Sequence, residues 1–520
     1  WWPSPVGAVE PWAEDRDWVK EMVGNAHRNG CRMIAYHWHM SDQAMEERHP
    51  EWLCRDSNGA PIPGSRGNYL CLNSPFSDYI LKRMLEVIDK GADGLFYDET
   101  HMPKTACWCD NCRRRFREET GLEHPEWENP QDPLYRRLVD FKNQTIERAF
   151  LKWRTAIHRR NPEAVLVVGS NTYPQMTDRQ MSHRLFRIVD SHKTEFSLPL
   201  RGEFSLRNPM VDWFSREEVD MRTPARDIRL ALGYTLARDA ADGRPAHIWA
   251  HGLLNEVSTT FSVAGLVAHG CIANIDNAEG RIPRDDFRAG IALGNRAATA
   301  LGRTRPVRWA AVHYPEEARL DRLPDVVAAG KDVLYPLLGA YGTFLRARLP
   351  VGVVTASQLE QGLLDDVAVL VLPCPDGLTG RMRRAAAAFR ESGGLVIEQR
   401  SGWAWHEDAG YSGASRALLR EASSRIPSAP VRVIGGPEGM HAVLFRSLDD
   451  PRRLVLTLVN DFSWVFTGRT RGLSDERKQE LGAVVPPPCT GVRVRLPASP
   501  GQTRVREVMT DTDLVVRRQG

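Results

Sequence analysis

The sequence predicts an α/β protein: a (β/α)8 TIM barrel, then a flavodoxin-like α/β domain and a C-terminal β-sandwich. Three observations predict it. From residue 14 to about 300, short apolar strands alternate with helical patterns, as in a barrel. From about Val307 the alternation resumes around a new set of strands, and from about Val431 the apolar period changes to two. The implied domains are 1–302, 303–425 and 426–520.

The elements follow in order. A helix near Glu14–Asn29 leads into strand Cys31–His37, the second of the barrel, and a loop rich in Pro and Gly precedes the third, Tyr69–Asn73. Ser74-Pro75 then opens a helix whose Ile80, Met84, Val87 and Ile88 share one face. Strand Gly94–Glu99 comes next. A long helix with the stripe Ile146, Ala149, Phe150, Trp153 and Ile157 stops near Asn161-Pro162. Strands Val165–Gly169, Val189–Phe196, Ala246–His251 and Cys271–Asp276 complete seven βα units, with an eighth strand before residue 1 or within Trp1–Val6. A doubly wound sheet is the competing arrangement, but no Gly-rich phosphate loop accompanies it. Strands Val307–His313, Val351–Thr355, Val367–Leu372 and Gly394–Glu398, with helices between them, make the second sheet.

Composition excludes more than it selects. With 69 basic and 66 acidic residues the net charge is +3, which gives no reason to propose nucleic acid or a membrane as partner. No apolar run reaches the ~18 residues of a membrane span. Nine cysteines, three of them in one hexapeptide, read as a metal site and free thiols in a cytoplasmic protein, not as a disulfide framework. The chain starts at Trp1 with no Met, so its front is read as trimmed.

Chemistry concentrates in Asp93-Gly-Leu-Phe-Tyr-Asp-Glu99 and in Cys107-Trp-Cys109-Asp-Asn-Cys112. A carboxylate at a barrel strand's C-terminal end is placed for hydrolysis, and a glycosidase needs a second one about 5 Å away (retaining) or roughly 6.5–9.5 Å away (inverting). Asp98 and Glu99 point to opposite sides of the strand, so at most one faces the axis. Glu195 ends the sixth strand and Glu256 follows the seventh. Glu195 is preferred narrowly, because Glu256 directly precedes a helix and is explained equally by a first-turn charge. Asp276 is a weaker third choice. His37 and His39 share a face at the second strand's end and suit sugar hydroxyls better than a catalytic metal. Trp38, Trp249 and His251 line the same mouth or pack in the core. Three clustered thiolates indicate zinc, and a fourth would close the site and make the metal structural, with no catalytic metal. Cys374 lacks the Gly-x-Cys-x-Gly elbow of a nucleophile and is rejected.

Three features resemble glycoside hydrolase family 42, the β-galactosidase type. They are Gly64-Ser-Arg66 with Cys71 and Ser74-Pro75, the strand ending Tyr97-Asp98-Glu99 with its cysteine cluster and Phe116, and Val369-Leu-Val-Leu-Pro373 with Ser392-Gly-Gly-Leu-Val396. The resemblance implies Asp98 as the catalytic residue of the fourth strand and a nucleophile near Glu256. It also implies Cys71 as the fourth zinc ligand, with Cys54 as its competitor. Arg66, Asn73, Tyr97 and Glu99 join the candidate sugar contacts. The 303–425 domain looks like the family's trimerisation domain, so a homotrimer is implied. The family's Asn-Glu acid/base pair is replaced here by Tyr97-Asp98, which favours a divergent branch. The expected function is hydrolysis of a neutral sugar's O-glycosides. The competing expectation is a non-catalytic carbohydrate-binding scaffold.

Overall fold

The computed structural model describes residues 4–7, 13, 15–37, 40–64, 67–98, 107–126, 129, 132–169, 182–197, 226–251, 256–275, 284–322, 332–333, 335–399, 408–437, 439–460, 489–496, 505–507 and 512–514. Contacts divide the chain into two compact units. One is Trp1–Thr194 with Arg244–Ala246 and Leu320–Pro324; the other is Glu195–Gly243, His247–Arg319 and Asp325–Gly520.

In the first unit, α1 (Trp18–Arg28) starts where the Asp17 carboxylate accepts the Lys20 N–H. It leads into β1 (Ile34–His37). Next come α2 (Gln43–Arg48), the hairpin of β2 (Pro63–Gly64) and β3 (Gly67–Asn68), α3 (Phe76–Asp89) and β4 (Gly94–Tyr97). After α4 (Asp110–Thr120) and α5 (Tyr135–Arg160) come β5 (Val165–Val168), α6 (Leu185–Ile188) and β6 (Ser191–Ser197). β1, β4, β5 and β6 pair in parallel in that order. Strand alternation sends Leu95 and Tyr97 to the helix side, where they pack with Leu166, Val168, Ile80, Met84, Ile146, Phe150 and Trp153. Each large apolar side chain so buried contributes about 1.5–3 kcal/mol. Phe96 and Asp98 are left for the other face.

The sheet's entry end is clamped twice by the same device. Asp93, just before β4, accepts the Met33 N–H at 2.8 Å and pairs with His27 and Arg32 at 2.7 Å each. Burial opposes its charge, yet these three partners hold its carboxyl at about 2. Asp190, just before β6, accepts the Leu166 N–H at 2.9 Å and pairs with His158 and Arg154. These clamps lie at the end of the strands opposite Asp98, where a barrel invests in stability.

Residues 69–73 do not form the expected strand. Their backbone is taken by the loop that follows β1: Leu70 N–H donates to Met40 O, Cys71 N–H to Trp52 O, and Leu70 bridges Leu53. The neighbours of β4 are therefore β1 and β5. Among the described residues six barrel-type strands form where seven were expected; of Trp1–Val6, the first three residues lie outside the described set and Ser4–Val6 forms no strand.

In the second unit, α7 (Arg226–Ala240), β7 (Ala246–His251), α8 (Glu256–Ala268), β8 (Ile272–Ile275) and α9 (Arg284–Leu301) continue the alternation, and β7 pairs β8 in parallel. Strands β9 (Thr304–Pro306), β10 (Ala310–His313), β11 (Val351–Val354), β12 (Val369–Leu372) and β13 (Leu395–Glu398) follow. Four of them make a parallel sheet in the order β11-β10-β12-β13. β14 (Arg432–Ile434), β15 (Met440–Ser447) and β16 (Leu454–Asn460) come next, and β16-β15-β9 is antiparallel. A buried ion pair ties α7 to this part. Arg238 donates to Asp239 at 2.7 Å, and the second oxygen of Asp239 accepts the Val353 N–H at 2.8 Å. Removing one partner of such a pair costs about 3–5 kcal/mol, because it strands a buried charge. No helix among the described residues is long and apolar enough to cross a membrane.

Candidate active site and metal centre

Asp98 follows the last residue of β4 and is partly exposed. The Tyr36 hydroxyl, from the neighbouring β1, donates to its Oδ2 at 2.5 Å. The Tyr36 ring, 50% exposed, lies 5.3 Å from the Phe96 ring, and the Lys193 ammonium of β6 sits 4.6 Å from that ring's centroid. Gly169 closes the group from the end of β5. A Cβ there would come within 1.8 Å of Phe96 Cε2 and 3.2 Å of Asp98 Oδ1. Four adjacent strands thus bring together, level with the C-terminal ends of β1, β4 and β5, a carboxylate, a phenol, an aromatic floor and a cation. This arrangement can bind a sugar's C–H face and present a carboxylate to it.

Tyr36, Gly169 and Lys193 were missed by sequence reasoning. The β1–β4 register, with Tyr36 opposite Phe96, is the signal that finds the first. Tyr97 requires a correction as a sugar contact. It is fully buried, edge-on to Phe150 at 5.3 Å and 5.2 Å from Trp153, and burial pushes its phenol well above the usual value. The alternation that presents Asp98 turns Tyr97 into the helix layer. His37 ends β1 opposite Tyr97 in the ladder. Glu195 lies in β6 two positions after Lys193, Trp249 and His251 lie in β7 with Trp249 partly buried, and Glu256 heads α8. The side chains of His37, Glu195, His251 and Glu256 lie outside the described set. Trp38, His39, Arg66, Glu99 and Asp276 lie outside the described residues altogether.

The thiols converge as expected. Cys71, Cys107, Cys109 and Cys112 are buried, with sulfurs all within 4.8 Å of one another. A tetrahedral zinc with bonds of about 2.3 Å sets its sulfurs roughly 3.8 Å apart, so the donor set fits. Cys109 caps α4 and Cys112 lies in its first turn, where the helix dipole favours thiolates. Hydrogen bonds from Cys109 and Cys112 hold the Cys107 thiol well below its ordinary value, while Cys112, crowded by Cys107 and Cys109, is pushed well up. One thiolate stabilised at its neighbours' expense is a conflict that a divalent cation resolves. Bound there, zinc would staple the Cys71 loop to the start of α4.

Asn73 belongs to this centre, which corrects its assignment as a sugar contact. Its backbone N–H donates to Cys71 Sγ at 3.4 Å and its amide to Cys112 Sγ and Thr145 Oγ1 at 3.2 Å each. Arg148 in turn donates to Asn73 Oδ1 at 3.4 Å. Cys54, fully buried, is pushed up by hydrogen bonding to Cys107 and Cys71 and stands outside the four-sulfur set. All nine cysteines are free thiols.

A family model described as Hypothetical glycosyl hydrolase 6 matches residues 5–99, the stretch that ends on Asp98-Glu99. No curated protein matches the chain. Among solved structures, a β-galactosidase from the Antarctic haloarchaeon Halorubrum lacusprofundi is similar at 13% identity, with 82% of this chain and 71% of that chain covered and a TM-score of 0.59. The likeness is one of fold. A catalytic mutant of Gan42B, a GH42 β-galactosidase from G. stearothermophilus, matches at 12% identity over 85% of this chain and 72% of that one, with a TM-score of 0.54. Alpha-L-fucosidase isoenzyme 2 from Paenibacillus thiaminolyticus matches at 16% identity over 88% of this chain, with a TM-score of 0.51. The chain spans 63% of that fucosidase's length. The resemblance to the GH42 enzymes holds at the level of fold.

Proposed function

We propose that the chain is a glycoside hydrolase in which Asp98 is one catalytic carboxylate and Glu195 or Glu256 supplies the other. The observation that carries this reading is Asp98 itself, at a strand's C-terminal end in a glycosidase fold, gripped by a phenol beside an aromatic floor. The substrate is a neutral sugar. Galactosides and fucosides are the first to try, since those are the activities named for the similar structures. Trp249 and His251, with His37, His39, Arg66 and Glu99, are the proposed sugar contacts. The zinc is structural, held by the four clustered cysteines, and the free thiols suit the cytoplasm.

A panel of nitrophenyl glycosides tests the reading. Release of nitrophenol from a galactoside or fucoside, and none from a uronide, is the expected result. Sugar binding with no turnover on any member would favour the carbohydrate-binding scaffold.

The α/β part at 303–425 and the β part at 426–520 are proposed as separate domains, the first of trimerisation type. A cyclic trimer uses a heterologous contact that closes after three steps. Light scattering at micromolar concentration is expected to give about three times 58.6 kDa; a mass near 58.6 kDa refutes the trimer.

A further inference from the structure

We propose that Tyr36 and Gly169 are positioning residues that fix the orientation of the Asp98 carboxylate, an inference that rests on the glycosidase reading of this site.

A carboxylate at a strand's end rotates about two bonds, and a reacting oxygen displaced by about 1 Å loses on the order of a hundredfold in rate. Here one oxygen is held from the side and the other is given room. Oδ2 accepts the Tyr36 hydroxyl at 2.5 Å from β1, and Oδ1 lies over the end of β5, 3.2 Å from where a Cβ of residue 169 would be. The same missing side chain gives Phe96 its place, since a Cβ at 169 would overlap the ring at 1.8 Å. Phe96 in turn carries the Tyr36 ring at 5.3 Å. One phenol therefore holds the carboxylate from β1, and one absent methyl group keeps its place open at the end of β5. The Gly169 N–H donates to Tyr97 O at 2.8 Å, so the strand end itself is pinned to β4.

Tyr36 differs from a core tyrosine because half of it is exposed, so its ring adds little to folding while its hydroxyl donates to Asp98. Tyr36→Phe keeps the ring on Phe96 and deletes only the donor. Tyr36→Ala removes the aromatic surface as well.

The test uses the full chain and the nitrophenyl glycoside that the wild type hydrolyses best. Tyr36→Phe is expected to lower kcat about 10- to 100-fold with KM within about threefold and an unchanged unfolding midpoint, the signature of misplacement without lost binding. Tyr36→Ala is expected to raise KM in addition. Gly169→Ala is expected to lower kcat at least as far as Tyr36→Phe. Wild-type kcat in Tyr36→Phe alongside an inactive Asp98→Asn overturns the inference and leaves the glycosidase reading standing. A loss in Tyr36→Phe that tracks a fall in folded fraction also overturns it, since the residue is then structural. Wild-type turnover in Asp98→Asn removes the reading and the inference together.

Discussion

Asp98→Asn is expected to lower glycoside turnover by about three orders of magnitude or more, as removal of a catalytic carboxylate does. The substitution keeps shape and hydrogen-bonding capacity, and the side chain is partly exposed, so the unfolding midpoint should barely move. The amide oxygen still accepts the Tyr36 hydroxyl, but the group no longer ionises, and proton transfer or nucleophilic attack is lost. The effect should fall on kcat, since aromatic contacts to the sugar survive. Steady-state kinetics beside a thermal melt separate the chemical loss from a folding loss. Near-native turnover in this variant sinks the assignment.

The second large effect is expected at the thiol cluster. Protein purified without added metal should carry about one equivalent of zinc per chain, as a closed four-thiolate site requires. Cys71→Ser should lose that metal and loosen the loop between Met40 and Ser74, because Cys71 is the link from that loop to α4. Structural zinc contributes about 10–16 kcal/mol of apparent binding energy in small zinc domains, so the loss should lower the unfolding midpoint sharply. Cys54→Ser should keep its metal, since Cys54 stands outside the four-sulfur set. Metal analysis of the two variants decides between the thiols. Metal-free wild-type protein with four titratable thiols contradicts the site.

Much of this was legible in the sequence, for identifiable reasons. The strand Gly94–Tyr97 and the thiol cluster are encoded locally, one as an apolar run ended by acids and the other as a tight spacing, so both were found where expected. Parity separated Asp98 from Glu99 but was not carried back to Tyr97, which the same rule sends into the core. Tyr69–Asn73 has the composition of a strand, but its backbone partners come from a loop about twenty to thirty residues earlier, and no local pattern reports that. Asn73 stood among the candidate sugar contacts that accompany the family resemblance. Its amide instead donates to the buried Cys112 sulfur of α4 and to Thr145 of α5. Tyr36, Gly169 and Lys193 come from three different strands and meet only through the register of β1, β4, β5 and β6.

If Asp98 supplies a carboxylate to glycoside cleavage, Asp98→Ala should respond to chemical rescue. Azide is small enough to enter the space left by the missing carboxylate and nucleophilic enough to take over its work on an activated aryl glycoside. The expected result is an inactive variant whose nitrophenol release rises with azide concentration and yields a glycosyl azide. Wild-type turnover in Asp98→Ala without azide, or an inactive variant that azide fails to rescue while wild type remains active, would contradict it.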